Sequence, residues 1–364
     1  MRLNLPHIIL VIFVLALLIA FHEFGHFICA KSLGVPVKIF SIGFPLGSRP
    51  LLHFRWGETD VQLNPLPLGG FCAFMDDENH EKDENSEEQD SFAPGDKRFL
   101  KNRAIWERAI IISGGVVANM IVAYAILLGL VVGTGVPDFS ASGGVFVGNV
   151  RADAPAFKAG IKSGDQIKAI DGKAILSVAA MQAAVKAGKE KPLKITVQRV
   201  NETLELTATP ASNGTIGVEI QDVAKKRPVS GVGEALGQSW KDLLSMSAML
   251  LAALWKLISG ALPLNQVGGL VEVVHMGSKV SQTGFTQLMY FAALISIELA
   301  ILNILPVPAL DGGHLFLLSI EAIRGKPLTR AFEEKLHYAG FFVLMALGVL
   351  LIFKDVWGLT LGKG

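Results

Sequence analysis

Four long apolar stretches organise the chain, at residues 5–30, 105–132, 288–305 and 339–353. Their lengths suit α-helices crossing a hydrocarbon layer about 30 Å thick, the last being the shortest. The first runs on too far for the apolar part of a signal peptide, and no small-residue cleavage site interrupts it. It therefore reads as a transmembrane helix. The third stops against Pro306 and Pro308, which fix φ and remove backbone donors. A fifth stretch, 240–258, mixes Lys241, Asp242, Ser245, Ser247 and Lys256 with leucines and methionines. That mixture predicts an amphipathic helix lying on the membrane surface.

Between the second and third stretches the period changes. Residues 145–147, 166–170, 193–197 and 204–206 read as strands, 156–159 and 177–186 as helices, with turns at 160–165 and Asp171-Gly172. Residues 143–210 are enough to bury one modest core as a water-soluble α+β domain. The division that follows is 1–135 as an N-terminal membrane half, 143–210 as the inserted domain, 211–287 as linker plus surface helix, and 288–364 as a C-terminal membrane half.

Composition strengthens the membrane reading: 51% of residues are hydrophobic and mean hydropathy is +0.46, too apolar for an ordinary soluble enzyme. A net charge of +1 nominates neither nucleic acid nor any strongly charged partner. Cys29 and Cys72 form no C-x-x-C pair and no disulfide framework. The tract 76–90, DDENHEKDENSEEQD, is a solvated acidic loop, and its His80 is assigned no chemistry. Lysines and arginines crowd the segments between the first two and the last two spans. The positive-inside rule puts both segments in the cytoplasm, and both termini and the inserted domain outside.

One motif carries chemistry. His22-Glu23-Phe24-Gly25-His26 lies within the first span, and H-E-x-x-H on a helix sets two imidazoles on one face a turn apart. That spacing suits one zinc ion, with Glu23 beside the water that zinc would activate, ready to take its proton and pass it to a leaving amine. Ionisable side chains inside an apolar span are costly, so a function is the default explanation. Two histidines leave a catalytic zinc one protein ligand short. Asp311, in the Pro- and Gly-broken segment Asn303 to His314, fills the gap. Read alone it serves equally well as a helix cap; beside an unfilled metal position the ligand reading prevails. His314 is a rival that more readily packs. Co-ligation requires the first and third spans to run the same way, with 105–132 as the return crossing and 240–258 on the outer surface. Glu298, also within the third span, stays unassigned.

HEFGH together with N-x-x-P-x-P-x-L-D-G-G resembles the site-2 protease family, in its bacterial regulator-of-sigma-E branch. The likeness extends over nearly the whole chain. Residues 39–44 and 67–71 look like that branch's re-entrant β region, and 113–119 is similar to its G-P-x-x-N signature. Residues 143–210 resemble its PDZ domain, here single, and 267–271 its G-P-V-G segment. The resemblance implies a polytopic α-helical membrane protein of about four spans, with a membrane-associated β-hairpin region and an inserted PDZ-like domain. It implies Zn²⁺ held by His22, His26 and Asp311, Glu23 as catalytic base, Asn303 as a helper of substrate or oxyanion binding, and Asn119 as a substrate-facing contact.

The expected activity is cleavage of single-span membrane proteins, of anti-sigma-factor or remnant-signal-peptide type, in regulated intramembrane proteolysis. The expected location is the bacterial inner membrane, with the site toward the cytoplasm and the bilayer and a peptide ligand of the PDZ-like domain as further partners. Residues 51–54 and 61–63 are expected to pair as a hairpin, an unpaired strand edge of that region accepting the unwound substrate. A catalytically silent adaptor and a zinc transporter are the alternatives.

Overall fold

Helix α1 (Leu5–Ser32) begins with Pro6 in its first turn, where a missing N–H costs nothing, and carries no Asp, Glu, Lys or Arg before Glu23. It ends where Gly34 takes φ +70° and the chain turns into a sheet. The computed structural model describes residues 4–45, 47, 49–74, 96–151, 153–199, 202–263 and 267–361; the acidic tract 76–90, His80 included, lies outside them. Strands β1 (Val37–Phe44), β2 (Leu52–Trp56), β3 (Thr59–Leu63) and β4 (Leu66–Phe74) form a sheet of order β2-β3-β1-β4. β1 runs parallel to β3 and antiparallel to β4. The expected hairpin is β2–β3, turning at Gly57 (φ +64°). Leu52, Phe54 and Trp56 on β2 are half or more exposed, an apolar surface suited to lipid. Terminal strand β4 packs against α1.

Helix α2 (Ile105–Thr134) returns antiparallel to α1. The direction follows from the pairings: His26 bonds Ile111, His22 meets Asn119, and Val11, Leu15 and Leu18 share a core with Val122. Gly25 and Gly114 make the crossing close, since a Cβ on either would strike the other's carbonyl. In lipid, where association rests on packing, small residues of this kind let backbones approach. Phe27, Ala30, Val35, Val37, Phe40 and Ile111 join α1, β1 and α2 in one buried cluster.

The chain divides into two compact units, Val131–Ala235 and the remainder, Met1–Leu130 with Leu236–Gly364. The inserted unit contains β5 (Val136–Val150), α3 (Pro155–Lys158), β6 (Gln166–Ile170), β7 (Lys173–Ala174), α4 (Val178–Ala187), β8 (Leu193–Arg199), β9 (Glu202–Ala208) and β10 (Val218–Arg227). Its sheet order is β10-β5-β6-β8-β9, with β7 on β6. The core includes Val145, Val147, Ile167, Ile170, Ile195 and Val197 from the strands and Met181 and Val185 from the helical repeat of α4. The unit extends beyond 143–210 at both ends. β10 falls in the segment expected to be linker, yet pairs along the whole of β5. Its pattern was obscured because an edge strand of this sheet needs few inward residues and carries Lys225, Lys226 and Arg227.

Helices α5 (Val232–Ile258), α6 (Leu270–Thr283), α7 (Phe285–Asn303), α8 (Asp311–Arg324) and α9 (Arg330–Leu361) complete the chain. Among the described residues, four helices are long and apolar enough to cross a membrane: Leu5–Ser32, Ile105–Thr134, Phe285–Asn303 and Ala331–Gly358. The amphipathic α5 is not among them; its Leu243 joins the core formed by Ala123 and Leu127 of α2 with Ala293 and Ile297 of α7. Asp355 of α9, buried, accepts the backbone N–H groups of Gly269 and Glu272, neutralising the positive end of α6. Leu288, Phe291 and Ile295 of α7 share the core of Val11, Leu15 and Leu18. The sequence reading put Asp311 toward the C-terminal end of the third span. Instead that span stops at Asn303, and Asp311 opens the separate helix α8. Pro306 and Pro308 cannot donate to a helix, and Ala309 adopts φ +75°, which a continuing right-handed helix does not allow.

Candidate metal centre

His22 and His26 project from one face of α1, each only 8% exposed, and the first turn of α8 brings Asp311 to them. Nε2 of His22 and Nε2 of His26 are 3.3 Å apart, and Oδ2 of Asp311 lies 3.2 Å and 3.4 Å from them. Among the described residues, this is the one group of His, Cys, Asp and Glu side chains that could hold a metal ion. Tetrahedral zinc with bonds of about 2.0–2.1 Å needs ligand atoms about 3.3 Å apart, the separation seen on all three edges. Oδ2 of Asp311 is buried with no hydrogen bond, an orphaned acceptor that a cation would satisfy. The donor set, two imidazoles and a carboxylate, is one that zinc accepts in hydrolytic sites.

The rings are already held for this role. Nδ1 of His26 lies 2.9 Å from the carbonyl oxygen of Ile111, to which it must donate, leaving a lone pair on Nε2. His22 meets Asn119 at Nδ1, 3.2 Å away. Asn119 is fully buried within α2, where its backbone carbonyl accepts from Ser296 of α7. The resemblance implied a substrate contact there; the structure sets the carboxamide against a histidine. Gly115 is the residue that makes room: a Cβ on it would sit 2.7 Å from Nε2 of His22 and closer still to Nε2 of His26.

The helix carrying Asp311 is anchored at its far end, where Arg108 of α2 donates to both carboxylate oxygens of Glu321 at 2.9 and 3.0 Å. At its near end, Gly312 and Gly313 lie so close to the carbonyls of Ile304, Leu305 and Val307 that neither position tolerates a side chain. β4 passes directly over Glu23, and a Cβ on Gly70 would come within 2.9 Å of the Glu23 Cγ. The strand beside the glutamate is thus β4, and not the β2–β3 hairpin. No described strand pairs with the outer edge of β4. Phe71, Cys72 and Ala73 of β4 line a cavity of about 1290 Å³ that also reaches Ala309, His314 and His337.

The remaining sequence candidates are separate from the triangle. His314 stacks on His337, with centroids 4.0 Å apart and planes at 24°, so it packs as expected. Asn303 is half-buried at the end of α7, and its side chain makes no hydrogen bond among the described residues. Glu298 is half-buried with no ion-pair partner among the described residues. Sequence reasoning missed Ile111 and His337, and it met Gly115 and Gly70 only inside the stretches 113–119 and 67–71, without giving either a place at the site. The glycines' spacing from the ligands has no local signature, and Ile111 contributes only a backbone carbonyl.

The model of peptidase family M50 matches residues 10–347. The chain belongs to peptidase family M50. A protein of Nostoc sp. named as a zinc metalloprotease is 36% identical over 359 residues, covering 95% of each chain. The membrane metalloprotease ARASP of Arabidopsis thaliana chloroplasts is 33% identical over 96% of this chain and 78% of its own. The regulator of sigma-W protease RasP of Bacillus subtilis is 28% identical over 97% of this chain and 99% of its own. A PDZ domain of an SdrC-like protein from Listeria monocytogenes, 26% identical, aligns to 21% of this chain and 86% of its own with a TM-score of 0.20. This M50 peptidase is therefore a zinc metalloprotease of membranes, an enzyme rather than a silent adaptor or a transporter.

Proposed function

We propose that this peptidase is an intramembrane endopeptidase that cuts single-span membrane proteins in regulated proteolysis, with His22, His26 and Asp311 as zinc ligands and Glu23 as base. The observation that carries it is the near-equilateral triangle of two Nε2 atoms and one Oδ2, beside Glu23 and under a strand whose outer edge has no partner among the described residues. When bound there, zinc supplies Lewis-acid polarisation of the scissile carbonyl and acidification of water.

Everything else falls to the chain's own residues. Glu23 takes a proton from the attacking water and returns it to the leaving amine. Asn119 and Ile111 hold the two rings in the tautomer that leaves Nε2 free. A helical substrate keeps its carbonyls hydrogen-bonded and shielded, so it must unwind first. The outer edge of β4 offers backbone groups in exchange for those lost from the helix, and the cavity alongside takes the extended segment. Asn303, at the mouth of the ligand loop, steadies substrate or oxyanion.

The distribution of lysine and arginine supports an orientation with both termini and the PDZ-like domain outside the cytoplasm, the site toward the cytoplasm and α5 on the outer surface. In that orientation the PDZ-like domain screens the external stub of a substrate already shortened. Anti-sigma factors and remnant signal peptides are the substrate classes, a reading supported by the relative named a regulator of sigma-W protease.

The test is cleavage of a panel of single-span substrates, with and without their external domains, by wild type and Glu23→Gln. The variant is expected to keep its zinc and lose roughly 10²–10⁴ in rate. Undiminished cleavage by a stably expressed Glu23→Gln protein would remove the proposed base. Equal cleavage of long and shortened substrates would remove the screening role.

A further inference from the structure

The loop between α7 and α8 has to place a metal ligand with little means of its own. Of its residues, Pro306 and Pro308 donate no hydrogen bond. Val307 and Leu310 spend their N–H groups inside the loop, on Leu305 and Val307. Ala309 holds φ +75°, a left-handed conformation that costs a non-glycine residue about 1 kcal/mol or more and persists only where the surroundings impose it.

The surroundings here are one face of α9. The N–H of Ala309 donates to Nδ1 of His337 at 3.2 Å. Gly340, three residues on and on the same face, lies against Pro308; a Cβ there would be 2.7 Å from the Pro308 carbonyl carbon and would collide with its oxygen. The ring of His337 also stacks on His314, one turn into α8. His337 thus grips the chain two residues before Asp311 and three residues after it.

We infer that His337 is a positioning residue for Asp311, its Nδ1 acting as the acceptor that fixes the left-handed Ala309 and so the direction in which the carboxylate enters the metal site. The inference rests on the ligand assignment proposed above. The C-terminal span then supplies no ligand, yet it sets the geometry of one.

The experiment uses the full-length protein in detergent. His337→Phe keeps a ring for stacking but removes the acceptor. His337→Asn loses the ring but offers a carboxamide oxygen near the Nδ1 position. Zinc affinity is measured by chelator competition, the visible spectrum is recorded after cobalt substitution, and kcat and KM are determined with one substrate. His337→Phe is expected to bind zinc about 10–100-fold more weakly, the range usual for partners that orient ligands. Its cobalt spectrum should be altered and its kcat lowered at unchanged KM, and His337→Asn should recover most of all three. If His337→Phe does not purify as folded protein, His337→Leu takes its place in the same comparison. Wild-type zinc affinity in His337→Phe overturns the inference and makes the stacked ring responsible; equal weakening in the Phe and Asn variants overturns it too, because a restored acceptor would then recover nothing. A wild-type chain that takes up no zinc overturns the ligand assignment itself, and this inference with it.

Discussion

Nδ2 of Asn119 lies 3.2 Å from Nδ1 of His22, while the Oδ1 of the same carboxamide is buried without a partner. With Nε2 of His22 turned toward Asp311 and His26, the ring proton belongs on Nδ1, and a nitrogen opposite it would oppose two donors. A half-turn of the amide removes the opposition of donors: Oδ1 then accepts from Nδ1–H, and the amide nitrogen takes the buried position that Oδ1 held. Asn119→Ala removes that acceptor. It is expected to weaken zinc binding about 10–100-fold in chelator competition. Unchanged affinity would mean that His22 is oriented by packing alone.

The proposed zinc site also requires the absence of a side chain at Gly115. Gly115→Val would push a branched side chain into the space between the two Nε2 atoms. The purified variant should contain no stoichiometric zinc by elemental analysis while keeping wild-type helix content by circular dichroism.

At Gly70 the expected outcome is the reverse. Valine there would collide with the Glu23 side chain and with the carbonyl of Ser41, lifting β4 from α1 without touching a ligand. Gly70→Val should retain its zinc and lose substrate cleavage. A variant that cleaves normally would rule out the β4 edge as the substrate platform.

In the inserted domain, Asp165 has a side chain only 1% exposed, and Arg199 donates to it from Nε at 2.8 Å and Nη2 at 2.9 Å. Burial opposes the charge, but the Arg199 guanidinium and the Lys162 backbone N–H outweigh it and hold the carboxyl below the usual carboxylate range. A folded value below the unfolded one, about 3.9, means that the pair stabilises fully above that pH and is lost as pH falls through the folded value. Arg199→Gln is expected to destabilise the domain at neutral pH, because it leaves the Asp165 carboxylate without its charged partner. Hydrogen exchange of the β6 and β8 amides in the intact chain should show the gap between variant and wild type narrowing below about pH 4. A gap independent of pH would assign the loss to packing.

Much of this protein is legible in one dimension because its strongest signals are periodic or local. Length of apolar run marked the first three spans, since a bilayer demands about 20 apolar residues in a row whatever the neighbours are, but it marked the fourth only as the stretch 339–353 within Ala331–Gly358. Alternation located the inserted domain's core, and i, i+4 spacing paired His22 with His26, because a helix puts such residues on one face without any help. Asp311 was reached by elimination, the metal needing a third ligand and the broken helix offering a carboxylate. What no local pattern encodes is the meeting of distant backbones. Tertiary structure decided that Asp311 begins α8 rather than ending α7 and that β10 closes the inserted sheet. It also set β4 over Glu23, Asn119 against His22 and His337 behind the ligand loop. Each of these depends on where a second element packs. The same residues, spaced along an extended chain, carry no sign of it.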